Sequence, residues 1–488
     1  MTRKNGDTSS PVNFYTRSAK SLADPHLRAA LISTTNRILQ NRTKAIEELQ
    51  HADALRDHAR RIRAHTIGHL DKYLVRFADA VVRCGGKVYW AKTAEAATDY
   101  VTTLAQTKKV RSIVKSKSMV SEELELNQTL ENRGIRVIET DLGEYIAQIA
   151  KEAPSHIIAP IIHKTREDVA SLFKEKLGAT EEEVATVSTM TNLARRKLRL
   201  EFLNADMGIS GVNFGVSETG SLCLVTNEGN GRLTTTIPPI HVALMGIERV
   251  VPTIEDLEVM LQVLPRSATG QKLTAYTNII TGPRRRFSEN NLVKKTVDEP
   301  DGPDELHVVL VDNGRSGILG SSLAEILYCV RCGACLNACP VYQQIGGHAY
   351  GSVYSGPMGS ILTPGLFGLE PWQELPHAST LCGACKEVCP VRIDIPRMLL
   401  ELRHQTTTTL PRKNFFRIGI ALYRHLAVRP WLFRLTRKFL RYLTTKFTKE
   451  GWIKQLPKPL AGWTAYRDFP PFARQSFVEQ WRAKKILD

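Results

Sequence analysis

Seven of the chain's nine cysteines fall in two short runs, and this arrangement restricts what the chain can fold around more than any other feature. The first run is Cys329-x2-Cys332-x2-Cys335-x3-Cys339-Pro340, and the second is Cys382-x2-Cys385-x3-Cys389-Pro390. The first has the bacterial ferredoxin spacing for a [4Fe–4S] cluster, including the closing proline. Thiolates at i, i+3 and i+6 wrap one side of a compact cluster, and the fourth comes from elsewhere. In two-cluster ferredoxins the cysteine before the proline serves the other cluster. On that pattern Cys329, Cys332, Cys335 and Cys389 hold cluster one. Cys339, Cys382 and Cys385 hold cluster two. Each proline turns the chain away and keeps a helix from running through the site.

The second run is one cysteine short, because Ser379 stands three residues before Cys382. Two clusters call for eight ligands, and the runs offer seven. The eighth place falls to Ser379 Oγ, to water or to a partner's ligand; otherwise the iron is lost and a three-iron cluster remains. Cys84 and Cys223 lie far away in sequence and are expected to pack as small buried hydrophobes. Zinc would call for two Cys/His pairs separated by a finger-length loop, and three cysteines within seven residues are too crowded for that. A disulfide framework is disfavoured, since 488 residues need no staples.

That length corresponds to about two to four domains, and 42% hydrophobic residues suffice for ordinary cores. No stretch approaches the roughly 18 apolar residues of a membrane span. The opening MTRKNGDTSS has no apolar signal core behind it. The expectation is a cytoplasmic chain, or one peripheral on the inner face of the membrane. The net charge is +17, and residues 411–449 hold eleven Lys/Arg and no Asp/Glu. There Leu432, Leu435, Phe439 and Leu443 recur at helical spacing among Arg434, Arg437, Lys438 and Arg441. This reads as a basic amphipathic helix, for a membrane surface or a partner. The plainer reading is a helix packed on its own domain with a solvated basic face. No recognised module accompanies the charge, so nucleic acid is not expected as a partner.

The texture divides the chain into four parts. Residues 1–80 look helical, with Asp24-Pro25 as N-cap and first turn and basic residues on a helical period from Ala54 to Phe77. Residues 81–312 alternate strand and helix, which predicts an α/β domain with a largely parallel sheet. Its strands are expected at Lys87–Ala91, Arg111–Val114, Ile135–Glu139, His156–Ile162, Ser221–Thr226, His241–Met245, Thr274–Ile280 and Leu306–Val311. Its helices are expected at Ala94–Thr107, Val120–Arg133, Glu181–Leu203 and Ile254–Val263. Pro283–Asp304 reads as a charged excursion. Residues 313–408 form the cysteine-bearing part. The Gly/Pro-rich spacer Val341–Leu381 is longer than a compact β-type ferredoxin needs, which favours an α-helical ferredoxin domain. Residues 409–488 make the basic amphipathic end.

Other signals are weaker. Gly229-x-Gly231-x-x-Thr234 lacks the third glycine and the acidic partner of a dinucleotide fingerprint, and no Walker motif is present. The small polar groups from Glu218 to Thr236 could offer amides to an anion, although ordinary turn chemistry accounts for them. His241 reads as a packed histidine rather than an acid–base catalyst.

The chain resembles the lactate utilization protein B family. The resemblance lies in Ala52–Leu74 (ADALRDHARRIRAHTIGHLDKYL), Gly86–Ala97, Gly211–Leu222 (GVNFGVSETGSL), Asn227–Pro239, Ser379–Pro396 (STLCGACKEVCPVRIDIP) and Gly462–Pro470. It implies that the middle segment is a LUD domain, similar in fold to CoA-transferase and sugar-phosphate isomerase domains. It also implies two [4Fe–4S] clusters on seven cysteines, with Ser379 as part of the family's pattern. The implied role is electron transfer, with lactate utilization proteins A and C as partners, in oxidising L-lactate to pyruvate. Competing expectations are another 2-hydroxy acid such as glycolate, an enzyme in its own right, and an iron–sulfur regulatory module.

Overall fold

Ile240–Gly246 and Glu305–Val311 read as nearly continuous apolar text. In the computed structural model they lie side by side in a six-stranded sheet, and nearly all of their residues are buried. Strands covered on both faces have this texture, and a parallel sheet is where they occur. The structure describes residues 13–284, 302–409, 414–446, 448, 451–458, 460–464 and 467–485. Most of the Pro283–Asp304 excursion, the opening ten residues and parts of 411–449 lie outside these.

The strands are β1 (Lys87–Ala91), β2 (Ser112–Ser116), β3 (Arg136–Glu139), β4 (Met207–Gly211), β5 (Phe214–Val216), β6 (Ser221–Thr226), β7 (Ile240–Gly246), β8 (Val250–Val251), β9 (Tyr276–Ile280) and β10 (Glu305–Val311). The large sheet has the order β1-β10-β7-β4-β2-β3, and every pairing in it is parallel. A second sheet, β8-β5-β6-β9, is mostly antiparallel and carries the buried Cys223 opposite Phe214.

Three expectations need correction. His156–Ile162 forms turns instead of a strand. His156 Nδ1 binds the N–H groups of Ile158 and Ala159 at 3.1 and 3.2 Å, which closes a local turn in place of a ladder. The expected helix Val120–Arg133 breaks at Glu125, whose φ is 53°, into Met119–Glu123 and Leu126–Glu131. Glu181–Leu203 likewise divides at Thr186, which caps Val187–Leu203.

One close approach fixes a helix against the large sheet. Asn230–Thr236 lies on β4, where a Cβ at Gly208 would meet Thr234 O at 1.9 Å. Gly208→Ala is expected to destabilise the fold by about 2–3 kcal/mol through overpacking. Denaturant melts of the variant and the parent check this.

Four helices precede the sheet: α1 (Phe14–Leu22), α2 (Pro25–Glu47), α3 (Ala52–Gly68) and α4 (Leu70–Arg83). Asp24 caps α2 by accepting from the Leu27 N–H at 3.0 Å. The helices α1, α2 and α3 pack against short helical turns of the cysteine region.

The chain divides by contacts into residues 1–408 and residues 409–488. In the second unit, helices Asn414–Ala427 and Pro430–Lys446 pack on each other. Ile453 and Phe469 form a bridge, and Arg437 pairs with Glu479 at 3.3 Å. Among the described residues no helix is long and apolar enough to cross a membrane.

Candidate functional site

Cys329, Cys332, Cys335 and Cys389 line one cavity. Three come from the first run and one from the second, 50 or more residues on in sequence. The remaining walls are largely apolar, including Ile157, Val330, Met358, Val391 and Ile393. Each run turns into a short helix, Ala334–Asn337 and Ala384–Glu387, and these two helices pack together. Their packing brings Cys389 back to the first run. It also leaves Cys339 beside Cys382 and Cys385, near enough for their charges to act on one another.

The thiols are in an unusual state for free cysteine. Burial, followed by the neighbouring thiols Cys389 and Cys329, pushes Cys332 up to about 12. Burial raises Cys389 to about 11. Cys335 is raised further by burial and by its neighbours Cys329, Cys332, Cys389 and Cys385. The last of these shows that the two groups of cysteines adjoin. Cys385 is pushed up to about 12, first by burial and then by Cys339. Cys382 differs: it is exposed, and the Ala384 N–H draws its pKa down. Buried thiols whose neutral form is favoured by burial and, after it, by one another suit a cationic group that replaces their protons. Among the described residues no three Cys, His, Asp or Glu side chains converge as on a single ion. Four cysteines on one cavity are the donor set that a four-iron cluster takes. Backbone N–H groups already point at sulfur, from Arg331 to Cys329 Sγ and from Ile393 to Cys389 Sγ, both at 3.4 Å.

A shell of arginines surrounds the cavity. Arg56 and Arg63 of α3 donate to carbonyls of the cysteine region, Arg56 to Cys389 O and Arg63 to Leu327 O, both at 3.0 Å, and Arg63 also donates to Val250 O of β8 at 2.8 Å. Arg42 of α2 reaches Val388 O at 2.8 Å, and Arg249 reaches Cys329 O at 2.9 Å. Arg331 lies between two of the lining cysteines and reaches Glu248 at 3.2 Å. Buried guanidinium groups in these places would offset the negative charge of thiolates holding a cluster. Two of them belong to the basic helical pattern of Ala54–Phe77; their role was not legible, because the carbonyls they bind lie hundreds of residues away.

This shell connects to the sheet. Arg315, fully buried, binds Glu123 with both terminal nitrogens, at 2.7 and 2.9 Å, and Glu248 through Nε at 2.7 Å. Burial alone would raise the Glu248 carboxyl, but Arg315, Arg331 and Arg249 outweigh it and draw the group down to about 2. Tyr354 Oη donates to Glu123 at 2.5 Å. No motif marked Glu123, Glu248 or Arg315 in the sequence.

The weaker expectations resolve as follows. His241 is buried, with Nε2 2.8 Å from Ser210 Oγ. Burial, with a smaller effect from His307, holds it down to about 3, as suits a packed neutral histidine. Cys223 is a buried thiol raised to about 12 by burial, Cys84 ends α4, and neither lines the cysteine cavity. The turn around Glu228 is unsuited to an anion. Burial and Asp141 raise the Glu228 and Glu144 carboxyls there, and Lys117 is already paired with Asp141.

Comparison with known proteins agrees with this anatomy. Residues 74–311 match the family model described as LUD domain, and residues 325–393 match the 4Fe-4S dicluster domain. The second match spans both cysteine runs, so the cysteine region is a ferredoxin-type iron–sulfur domain beside a parallel-sheet α/β core. Lactate utilization protein B of Shouchella clausii (strain KSM-K16) is 44% identical over 481 residues, covering 97% of each chain. The protein of that name from Bacillus pumilus (strain SAFR-032) is 44% identical over 476 residues, and the one from Bacillus cereus (strain AH187) is 42% identical over 473, each again covering 97% of both chains. With both domain models matched in order and relatives aligned almost end to end, the chain belongs to the lactate utilization protein B family.

Proposed function

We propose that this chain is the iron–sulfur electron-transfer subunit of a system that oxidises L-lactate to pyruvate, with lactate utilization proteins A and C as partners. The observation that carries this reading is the interleaving of the two cysteine runs, with Cys389 in the cavity of Cys329, Cys332 and Cys335. On this reading those four thiolates hold cluster one, and Cys339, Cys382 and Cys385 hold cluster two. Each cluster supplies one-electron redox capacity. Oxidising lactate releases two electrons and two protons, so two adjoining one-electron groups hold both electrons. This chain's residues do the rest of the work: the apolar wall excludes water, the arginines offset charge, and the N–H groups on Cys329 and Cys389 support the thiolates. The primary step on lactate belongs to a partner subunit. We also infer that the LUD domain is built like CoA-transferase and isomerase domains, with helical extensions before and after the two domains.

The test uses protein isolated anaerobically with its native partners. L-Lactate is added and electron paramagnetic resonance followed, with glycolate as control. A cluster signal that grows with lactate and not with glycolate is expected. Reduction by dithionite but not by lactate would overturn the lactate assignment, and a response to glycolate alone would favour that hydroxy acid.

The same reading places the second unit at the inner face of a membrane. Residues 409–488 contain eighteen Lys/Arg against four Asp/Glu, so they hold +14 of the chain's +17. Along helix Pro430–Lys446, Trp431, Leu435, Phe439 and Tyr442 form one exposed stripe, at 65, 59, 64 and 62%. Arg434, Lys438 and Arg441 follow at the same spacing beside it. Aromatic and basic rows on one helix suit the interface of an anionic bilayer. The full chain is expected to bind vesicles containing anionic lipid, to release them in salt, and to bind at least about tenfold more weakly with Trp431→Ala and Phe439→Ala combined. Equal binding to zwitterionic vesicles, or none to either kind, would sink this placement.

A further inference from the structure

The two cysteine runs repeat one backbone conformation. Arg331 and Leu381 have φ of 59° and 58°, and Gly333 and Gly383 follow at 74° and 87°. Short helices then begin at Ala334 and Ala384. In this repeat Ser379 stands where the first run has Cys329. The correspondence extends to the side chains: the Arg331 N–H donates to Cys329 Sγ at 3.4 Å, and the Leu381 N–H donates to Ser379 Oγ at 3.1 Å. Ser379 is therefore aimed as a ligand is aimed, but with the wrong atom. A neutral hydroxyl is a poor match for iron that its neighbours hold through soft thiolates. This corner is also the open one. Cys382 is exposed, whereas its counterpart Cys332 is buried.

We propose that the iron facing Ser379 in cluster two has no protein thiolate, is exchangeable, and takes a small oxygen-donor ligand from solution. This rests on the two-cluster reading above. The ligand class follows from the position: a site reached from solvent, bordered by a hydroxyl, and lacking the fourth soft donor.

The test compares parent, Ser379→Cys and Ser379→Ala chains isolated anaerobically. Ferricyanide takes one electron as the loosely held iron leaves as Fe²⁺, which converts a four-iron core of charge 2+ into a three-iron core of charge 1+. The parent and Ser379→Ala are expected to give a three-iron resonance and lose about one-eighth of their iron. Ser379→Cys is expected to start with the same iron and to suppress that resonance at least about tenfold. In dithionite-reduced samples, ¹⁷O-enriched water should broaden the cluster-two signal of the parent and Ser379→Ala, and leave Ser379→Cys unchanged. If Ser379→Ala loses cluster two outright, Ser379 is itself the ligand and the proposal is overturned. It is overturned equally if all three chains behave alike under ferricyanide, or if ¹⁷O leaves the parent's signal sharp. If the untreated parent holds iron for a single cluster, the two-cluster reading has failed instead.

Discussion

Replacing Arg315 with methionine is expected to destabilise the chain by about 3–5 kcal/mol, the usual cost of breaking a buried ion pair from one side. The residue and its partner Glu123 are wholly buried, and Glu248 is nearly so. Without the guanidinium, Glu123 keeps only Asn313 and Tyr354 as donors, and Glu248 keeps Arg331. Arg315→Lys should recover only part of the loss, since one ammonium cannot reproduce a two-pronged bond to one carboxylate together with a third bond to another. Adding Glu123→Gln to Arg315→Met should restore stability relative to the single variant, because it removes the stranded charge. A double-mutant cycle from denaturant melts reads this coupling. Additive effects would mean that the network is not a unit.

The second large effect concerns which cysteines share a cluster. A single Cys→Ser change at Cys332, Cys335 or Cys389 should remove about half of the bound iron. Paired changes are more informative. Cys332→Ser with Cys389→Ser joins the two runs, yet it should still leave about half of the iron, because both residues line one cavity. Cys332→Ser with Cys339→Ser lies within a single run, yet it should leave almost none. If each run instead served its own cluster, the two outcomes would be reversed. Iron assay on anaerobically purified chains decides between them.

Much of the sheet was legible because its boundaries carry local chemistry. β1 and the helix Ala94–Thr107 match their sequence readings at both ends. Gly85-Gly86 precedes the strand, and Thr93 caps the helix by accepting from the Ala96 N–H at 3.2 Å. β4 was missed: Met207–Gly211 contains two glycines and little β-branched text, and its burial comes from neighbours distant in sequence. His156–Ile162 misled in the opposite direction, since its isoleucines suggest a strand while His156 satisfies the backbone locally. In the site, cysteine spacing pointed to the chemistry directly. The charged shell was hidden, because a buried arginine looks like a surface arginine until its acceptors are known.

The arginines of α3 also bear on synthesis. Arg56 and the Cys389 carbonyl it binds are 333 residues apart. The cysteine runs leave the ribosome some 270 residues or more after Arg56, on the helix that completes their surroundings. Loops of this length close at modest entropic cost but slowly. The N-terminal helices must therefore wait, with these carbonyl acceptors of their arginines still missing, until the second run has emerged. Iron can be enclosed only after the second run has emerged, so cluster loading comes late in the making of the first unit and also reports whether the two ends of that unit have met.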